Sequence, residues 1–264
     1  MVTDTHVYFY KFDEDSKSLI PKLVTTMNNF MGCISLLVDS NDKICVSYKS
    51  GQNNFTTYKR KYDHGFREII DSTSREGTCG LSFPSKGMFM ISDDDYVQIH
   101  GEKNYKLINR INVPLQQSDT DDEIEIISIA KSQDDKHLGI LSGKNLIKGI
   151  ESIYSLHIYI IHEDKSHTLK ASCHLPESFR SVSKSFVFDK VNPDNSVIFV
   201  DNIGIKRYNY MVQSMNEMYK FKNPIQSQPD YIVFSEFQHE LILASSDDVL
   251  WVNIVKKNEV DIDN

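Results

Sequence analysis

Residues 186–200 read Phe186-Val-Phe-Asp-Lys-Val-Asn-Pro-Asp-Asn-Ser-Val-Ile-Phe-Val200, which is two apolar runs joined by a polar turn. The same pattern recurs in four other stretches, at 33–47, 79–92, 126–142 and 231–245. Aligning the turns places one residue of each copy at an equivalent position: Asp42, Lys86, Asp135, Asn195 and His239. The intervals of about 44, 49, 60 and 44 residues match the period of a four-stranded propeller blade. The repeat therefore predicts an all-β propeller of about five four-stranded blades.

Further strand-like segments follow the copies. A third apolar run occurs at Tyr96-Val-Gln-Ile-His100 and at Val249-Leu-Trp-Val-Asn253, and a fourth run spans 105–111. Short segments rich in Ile, Val, Phe and Tyr, separated by turn residues, are typical of all-β proteins. We expect a single propeller-like domain over residues 1–264, with blade starts near 31, 77, 124, 182 and 229.

The chain begins with a hairpin that lacks two strands of a blade. Within residues 4–27, His6-Val-Tyr-Phe-Tyr-Lys-Phe-Asp-Glu-Asp15 resembles His157-Ile-Tyr-Ile-Ile-His-Glu-Asp164, and a strand-like run follows each. The hairpin thus reads as a third and a fourth blade strand. It could complete the last blade and close the ring, which removes exposed strand edges. The alternative is that the sequence is part of a larger propeller, and the residues favour neither.

The composition bounds the class of protein. The chain has 264 residues, of which 40% are hydrophobic and 25% are charged. The hydrophobic fraction is enough for a sizeable core, and the charged fraction is ordinary for a soluble protein. Its net charge of −8 disfavours a general nucleic-acid binder. The four cysteines form no CxxC pair and the first residues are not a secretory signal, so we expect a reducing, cytoplasmic compartment. No apolar run approaches the ~20 residues of a membrane span.

Three turns resemble those of WD-repeat proteins. Phe83-Pro-Ser-Lys-Gly87 stands where that family has Phe-Ser-Pro-Asp-Gly, and Asn192-Pro-Asp-Asn195 is a similar turn. Ser246-Asp-Asp-Val-Leu-Trp-Val252 is similar to the family's Ser-x-Asp-x-x-Ile-x-Ile-Trp stretch. The chain departs from the family because no Gly-His pair begins a blade and no Trp-Asp pair ends a third strand, so the family's internal Asp-His-Ser hydrogen bonds are not transferred. The resemblance implies a rigid, non-catalytic scaffold that binds a protein or peptide, without a cofactor.

The resemblance also implies where a partner binds. The loops after the second and fourth strands of each blade share one face, and insertions in a repeat protein usually mark its binding face. Residues 114–123 and 143–155 lengthen two intervals of this repeat. We expect both to be exposed and dispensable for folding, because surface insertions cost little free energy. Ten residues on that face are candidate partner-binding residues: Asp93, Asp94, Asp95, Asp121, Asp122, Lys144, Lys148, Tyr154, Asp247 and Asp248.

Possible ion sites have simpler explanations. The best metal-like group consists of four histidines and a cysteine: His157, His162, His167, His174 and Cys173. Zinc needs about four ligands in tetrahedral array, and on a strand His157 and His162 point to opposite faces. The acidic runs Asp93–Asp95 and Asp119–Glu123 lack the alternate spacing of a calcium loop, so turn hydrogen bonding is favoured. We expect no metal site.

One segment superficially resembles a phosphate loop. It reads Leu138-Gly-Ile-Leu-Ser-Gly-Lys-Asn145. Its glycines are one residue too close, and Asn145 stands where that motif has a magnesium-binding Ser or Thr. We therefore expect that nucleotides do not stabilise the fold.

Residues 53–67 mix basic and aromatic side chains: Tyr58, Lys59, Arg60, Lys61, Tyr62, Phe66 and Arg67. Such a mixture suits phosphoinositide heads or single-stranded RNA. The favoured interpretation is one long alternating strand with Lys59 and Lys61 in water. Trp251, the single tryptophan, is predicted to pack between blades.

Three functional hypotheses follow. The leading hypothesis is a protein-interaction scaffold that uses the loop face. The second is an enzyme or small-ligand binder that uses the mouth of a central channel. The third is a phosphoinositide- or RNA-binding propeller that uses residues 58–67.

Overall fold

The computed structural model describes seventeen segments of the chain: residues 6–11, 22–28, 33–38, 44–49, 54–61, 65–68, 75–76, 79–93, 95–103, 106–114, 124–144, 153–175, 182–201, 203–222, 231–234, 240–244 and 249–253. Side-chain environments are described for most of these residues between 80 and 243. The described residues contain no α-helix, and a 3₁₀ turn at Pro84–Lys86 is the one helical element among them. The prediction of an all-β chain is confirmed.

The described residues form 22 strands in six sheets, which we number in chain order. Sheet 1 consists of β1 (His6–Lys11) and β2 (Lys22–Asn28). Sheet 2 consists of β3 (Cys33–Val38), β4 (Ile44–Lys49), β5 (Asn54–Lys61), β6 (Gly65–Glu68) and β7 (Arg75–Glu76). Sheet 3 consists of β8 (Cys79–Phe83), β9 (Met88–Ser92), β10 (Tyr96–Gly101) and β11 (Leu107–Asn112). Sheet 4 consists of β12 (Ile124–Lys131), β13 (His137–Lys144), β14 (Ile153–Ile161) and β15 (His167–His174). Sheet 5 consists of β16 (Val182–Phe188), β17 (Ser196–Asp201), β18 (Gly204–Asn209) and β19 (Ser214–Lys220). Sheet 6 consists of β20 (Tyr231–Phe234), β21 (Glu240–Ala244) and β22 (Val249–Asn253).

The five repeat copies coincide with the first two strands of sheets 2 to 6. In sheets 3, 4 and 5 the order of strands across the sheet is the order along the chain, so each is a four-stranded meander. This is the arrangement of a propeller blade. Sheet 6 has three described strands and sheet 1 has two. Closure of a ring by the N-terminal hairpin stays a prediction.

Two backbone hydrogen bonds recur in all three meanders. The first joins the end of the third strand to the start of the second, because an amide at the end of the third strand donates to the carbonyl just before the second strand. The three bonds are Glu102 N to Gly87 O at 3.1 Å, Ile161 N to Lys136 O at 2.8 Å and Tyr210 N to Asn195 O at 3.0 Å. In the second, the residue after the fourth strand donates to a carbonyl near the start of the third: Val113 N to Asp95 O at 3.0 Å, Leu175 N to Tyr154 O at 2.9 Å and Phe221 N to Ile203 O at 2.7 Å. The backbone therefore preserves the repeat where the side chains have diverged.

The chain divides into two compact units. The first comprises residues 1–126 together with 162–167, and the second comprises 127–161 together with 168–264. In the first unit, fully buried side chains of sheet 3 form a core that includes Phe83, Met88, Met90, Val97 and Ile99. In the second unit, buried apolar residues of sheets 4 and 5 form one cluster, and those of sheets 5 and 6 form another.

Two glycines of sheet 4 make room for side chains of sheet 5 and of the adjacent strand β12. A Cβ atom on Gly139 would lie 2.7 Å from the Phe186 ring, and one on Gly143 would lie 2.7 Å from the Ile127 side chain. Both glycines lie within strand β13. The segment that superficially resembles a phosphate loop is therefore a packed strand, and its glycines make room for neighbouring side chains.

Two predicted boundaries are corrected. Residues 53–67 are not one long strand, because β5 and β6 pair as an antiparallel hairpin in which Lys59 lies opposite Arg67 and Lys61 opposite Gly65. The segment 143–155 is not wholly an exposed insertion, because Gly143 is buried and pairs with Tyr154. What separates β13 from β14 is residues 145–152, which lie outside the described residues, as does most of 114–123.

Candidate binding surface at one end of sheet 5

The two ends of each four-stranded sheet differ. At one end, which we call the turn end, tight turns join the first strand to the second and the third to the fourth. At the other, which we call the loop end, a loop joins the second strand to the third. The recurring bond to Gly87, Lys136 or Asn195 ties the two turns of the turn end together. The turn end of sheet 5 carries the exposed apolar side chains described next.

The first of its turns is built around a buried carboxylate. Asp189 is almost fully buried, and its Oδ1 accepts a hydrogen bond from Val191 N at 3.0 Å. Its Oδ2 accepts one from Ser196 Oγ at 3.2 Å and lies 2.7 Å from Arg207 Nε. These contacts fix the backbone of the turn. The turn presents Val191 to solvent, with 70% of the residue's surface exposed.

The second turn uses an asparagine in the same way. Asn209 Oδ1 accepts hydrogen bonds from Met211 N at 3.0 Å and Val212 N at 3.2 Å. Met211 is 55% exposed and Val212 is 69% exposed. The adjacent Tyr210 donates from its hydroxyl to Pro193 O at 2.9 Å, which joins the second turn to the first. We call Val191, Met211 and Val212 the apolar turn patch.

A charged group lies on the first of these turns. Asp194 has 70% of its side chain exposed, and its Oδ1 lies 3.2 Å from both Lys170 Nζ and His137 Nε2. Lys170 Nζ also donates to the main-chain oxygen of Asp194 at 2.7 Å and lies 6.0 Å from the centre of the Tyr210 ring. The surface therefore combines apolar side chains with a carboxylate whose position is fixed from the neighbouring sheet.

His137 is neutral in this group. The residue is almost fully buried, and its ring contacts Phe188 with centroids 5.9 Å apart. Burial and the nearby Lys170 ammonium lower the pKa of His137, and they outweigh Asp194, which acts in the opposite direction. In the neutral ring, Nε2 is 3.3 Å from Lys170 Nζ and can accept a hydrogen bond from this ammonium group. Among the described residues Nδ1 has no hydrogen-bond partner, so the buried ring keeps one polar atom unsatisfied.

The turn end of sheet 3 is covered by another segment of the chain, unlike the turn end of sheet 5. Lys86 has only 3% of its side chain exposed, and its Nζ lies 2.6 Å from Glu163 Oε1. Lys165 Nζ is 3.5 Å from Gly87 O. Glu163 and Lys165 belong to the tip of the β14–β15 hairpin, residues 162–167, which lies in the same unit as sheet 3. The hairpin tip therefore contacts this turn end, and its contacts include the ion pair with Lys86 and the approach of Lys165 to the Gly87 carbonyl.

At the loop ends, aspartates hold the loops together. Asp93 is buried. Its carboxylate accepts one hydrogen bond from the Tyr96 hydroxyl and another from Gln98 Nε2 at 3.2 Å. Asp201 is fully buried, and its Oδ1 accepts from Ile203 N at 2.8 Å and Gly204 N at 2.7 Å. Its Oδ2 lies 2.5 Å from Lys206 Nζ. The carboxylates of Asp93 and Asp201 thus organise their loops. For the run Asp93–Asp95 as a whole, turn hydrogen bonding stays a prediction.

The predicted partner-binding residues are only partly described. Asp93 is buried, Asp95 is exposed and Tyr154 is half-buried. Lys144 ends strand β13, and its side chain lies outside the described part. The other six lie outside the described residues: Asp94, Asp121, Asp122, Lys148, Asp247 and Asp248. The backbone of Trp251 pairs with that of Ile242, and its side chain is likewise outside the described part.

The histidines of the metal-like group separate into two pairs. His157 is buried between Ser142 Oγ, 3.1 Å from Nε2, and Ser172 Oγ, 2.9 Å from Nδ1. Burial, with a smaller effect of nearby His174, lowers the pKa of His157 to about 4. His162 and His167 lie in the hairpin tip. Within the described part of the chain, no three His, Cys, Asp or Glu side chains lie close enough to bind a metal ion.

Sequence reasoning missed the apolar turn patch. Val191 lies inside a repeat copy, and Met211 and Val212 follow Asn209 shortly after the third strand of the same sheet. The one local signal is Asn209, because Asn is typical of turns, but this does not predict which side chains the turn exposes. No helix in the described part of the chain has the length and hydropathy needed to cross a bilayer.

Comparison with known proteins supports the fold and no family. No family model matches the chain, and no curated protein matches it. A crystallised protein from Lactobacillus plantarum is similar over 93% of this chain and 76% of its own, with a TM-score of 0.58 and 10% identity. The hydrazine synthase of Kuenenia stuttgartiensis is similar over 88% of this chain and 86% of its own, with a TM-score of 0.50 and 8% identity. With the four-stranded antiparallel sheets, these likenesses establish an all-β, propeller-like fold.

Proposed function

We propose that this protein is a non-catalytic interaction scaffold of the WD-repeat kind, and that it docks a protein partner through the turn end of sheet 5, which is opposite to the loop face that the sequence favours. The observation that carries the proposal is the exposure of Val191, Met211 and Val212 on two turns that are hydrogen-bonded to each other. Exposed apolar side chains that stand together on a soluble protein mark interaction sites.

The rigidity of the turns supports the proposal. Asp189 and Asn209 fix the turn backbones through side-chain hydrogen bonds to the amide groups that carry Val191, Met211 and Val212. A surface that is ordered before binding loses little conformational entropy when the partner arrives. Apolar residues on such a surface gain the free energy of burial only when a partner covers them.

The experiment compares two doubly substituted variants of the full chain. Met211→Ser with Val212→Ser removes the apolar side chains of the second turn. Leu107→Ser with Ile108→Ser removes two other exposed apolar side chains, from strand β11 of sheet 3. Each variant is used for affinity capture from the native cell, followed by mass spectrometry.

The first variant is expected to lose the specific partner, and the second to retain it. Thermal unfolding of both variants checks that neither loss results from unfolding, since surface changes usually alter stability by less than about 0.5 kcal/mol. Capture of the same proteins by wild type and by the Met211→Ser, Val212→Ser variant would overturn the proposal.

A further inference from the structure

The repeat places residues of opposite charge at one position of sheets 3 and 5. The carbonyls of Gly87 and Asn195 make the same recurring backbone hydrogen bond. The residues immediately before them, Lys86 and Asp194, are therefore equivalent, which corrects by one residue the sequence alignment of Lys86 with Asn195. A cation stands at this position in sheet 3 and an anion in sheet 5.

Sheet 3 shows what kind of segment this position receives. The hairpin tip 162–167 seats on it, with the Glu163 carboxylate 2.6 Å from the Lys86 ammonium. The side chain of Lys86 is almost completely covered, although lysine is seldom buried without a partner. The anion on the tip matches the cation on the turn.

In sheet 5 the sign is reversed and the position is open to solvent. The described polar neighbours of the Asp194 carboxylate, Lys170 Nζ and His137 Nε2, lie against Oδ1. Within the described residues this leaves Oδ2 available to a cation that approaches from solvent. The apolar turn patch lies beside it, because Tyr210 joins the turn of Asp194 to that of Met211.

We propose that the partner of sheet 5 presents a hairpin tip or turn in which a Lys or Arg side chain stands next to an exposed apolar side chain. The cation pairs with Asp194 and the apolar side chain packs on Met211 and Val212. This inference rests on the proposed function and adds the chemistry of the partner to it. Asp194 acts as the selective element, because a like charge placed opposite it is repelled.

The test uses a defined probe. Disulfide-cyclised hairpin peptides displayed on phage are selected against the full chain, and the selected peptides are synthesised and their dissociation constants measured. We expect selected sequences that carry Lys or Arg beside Leu, Met or Phe. Their affinity is expected to fall about tenfold for Asp194→Lys, which replaces an attractive charge by a repulsive one.

A charge exchange provides the control. A selected peptide whose Lys or Arg is replaced by Glu is expected to bind Asp194→Lys better than wild type. Asp194→Asn, which retains the main-chain oxygen that Lys170 contacts, checks that the effect is one of charge. Thermal unfolding confirms that both variants are folded.

The outcomes separate this inference from the proposed function. Selection of acidic peptides, or selected peptides that bind Asp194→Lys unchanged, would overturn the inference. If the peptides selected in that case nevertheless lose affinity for Met211→Ser with Val212→Ser, the proposed docking surface is retained, and only the pairing of a cation with Asp194 is rejected. Failure to select any peptide whose binding depends on either set of residues would overturn both.

Discussion

At the turn end of sheet 3, Lys86 is covered and paired with Glu163 of a hairpin tip. At the turn end of sheet 5, the equivalent Asp194 is open to solvent beside three exposed apolar side chains. The backbones of the two ends carry the same recurring hydrogen bond. This repeat therefore constrains the backbone and leaves the side chains of the turns free to diverge. Differences between equivalent turns are therefore where binding functions can be sought.

The loop ends of the same two sheets support this view. Asp93 accepts hydrogen bonds from the side chains of Tyr96 and Gln98. Asp201 receives two from backbone amides and lies next to the Lys206 ammonium. A buried carboxylate is retained in both loops, while the groups that satisfy it have changed.

The largest expected effect comes from a glycine of sheet 5. A Cβ atom on Gly204 would lie 2.1 Å from the Tyr219 carbonyl oxygen, which is backbone and cannot move aside without disrupting the sheet. Gly204→Ala is expected to lower the free energy of unfolding by more than about 3 kcal/mol. The measurement is urea-induced unfolding.

Gly87 of sheet 3 is the matched control. It has a φ of +57°, and a Cβ atom added there would meet nothing within 4 Å, so the left-handed backbone is the only source of strain in Gly87→Ala. That strain costs about 1–2 kcal/mol. Equal losses in the two variants would mean that sheet 5 packs around Gly204 loosely enough to admit a methyl group.

Acid is expected to destabilise the second unit through His157. The pKa of His157 is about 4 in the folded protein and about 6.5 when unfolded. The unfolded state therefore binds more protons between these values, and the stability contributed by the neutral ring is complete above about pH 6.5 and lost as the pH falls to about 4. The loss is of order 3 kcal/mol.

His137 contributes in the same direction, because its pKa is also lowered. The measurement is urea unfolding of wild type and His157→Gln from pH 7.5 to 4.5. The difference between the two is expected to shrink as the pH falls, since the glutamine does not titrate. A difference that is constant with pH would contradict the assigned environment of His157.

Substitution of the two loop-end aspartates is expected to lower the free energy of unfolding by smaller amounts, and by more at Asp201 than at Asp93. Asp201→Asn weakens the contact with Lys206 in a buried site and is expected to cost about 2 kcal/mol, in the range for hydrogen bonds to charged groups. Asp93→Asn retains partners that can rotate to an amide, and about 1 kcal/mol is expected. Chemical denaturation at pH 7 measures both. The reverse order would show that side-chain partners hold a loop more firmly than backbone amides.

The smallest effect is expected at the covered turn end. Glu163 is exposed, so Glu163→Gln should lower stability by less than about 1 kcal/mol. Because Lys86 is buried, Lys86→Met should be neutral or stabilising, as an apolar side chain of similar length avoids the desolvation of the ammonium. Thermal unfolding distinguishes the two. A large loss in Lys86→Met would mean that the ion pair itself holds the hairpin tip.

Much of the fold could be predicted from the sequence because its signals are local. Apolar runs joined by polar turns specify antiparallel hairpins, and the copies at 79–92 and 186–200 fold as such. The prediction of one strand over 53–67 is wrong, because strand alternation continues through the turn residues of this hairpin and conceals the reversal.

The candidate site could not be predicted in the same way. Exposure of Met211 and Val212 depends on which side chains of neighbouring strands and sheets reach the turn, and a single sequence does not contain that information. The opposite surroundings of Lys86 and Asp194 likewise depend on contacts with residues far along the chain, such as Glu163 and Lys170. Gly139 and Gly143 resembled a ligand motif because glycine serves close packing and ligand approach equally well.

The most direct test places a photo-crosslinking amino acid at equivalent positions of the two turn ends. Met211 follows Tyr210 and Lys103 follows Glu102, the two residues whose amides make the recurring hydrogen bond. p-Benzoylphenylalanine is introduced at one position or the other in the full chain, and irradiation is carried out in the native cell. A single defined protein adduct from position 211, absent from position 103, is the predicted result. Equal adducts from both positions, or none from position 211, would contradict a docking surface at the turn end of sheet 5.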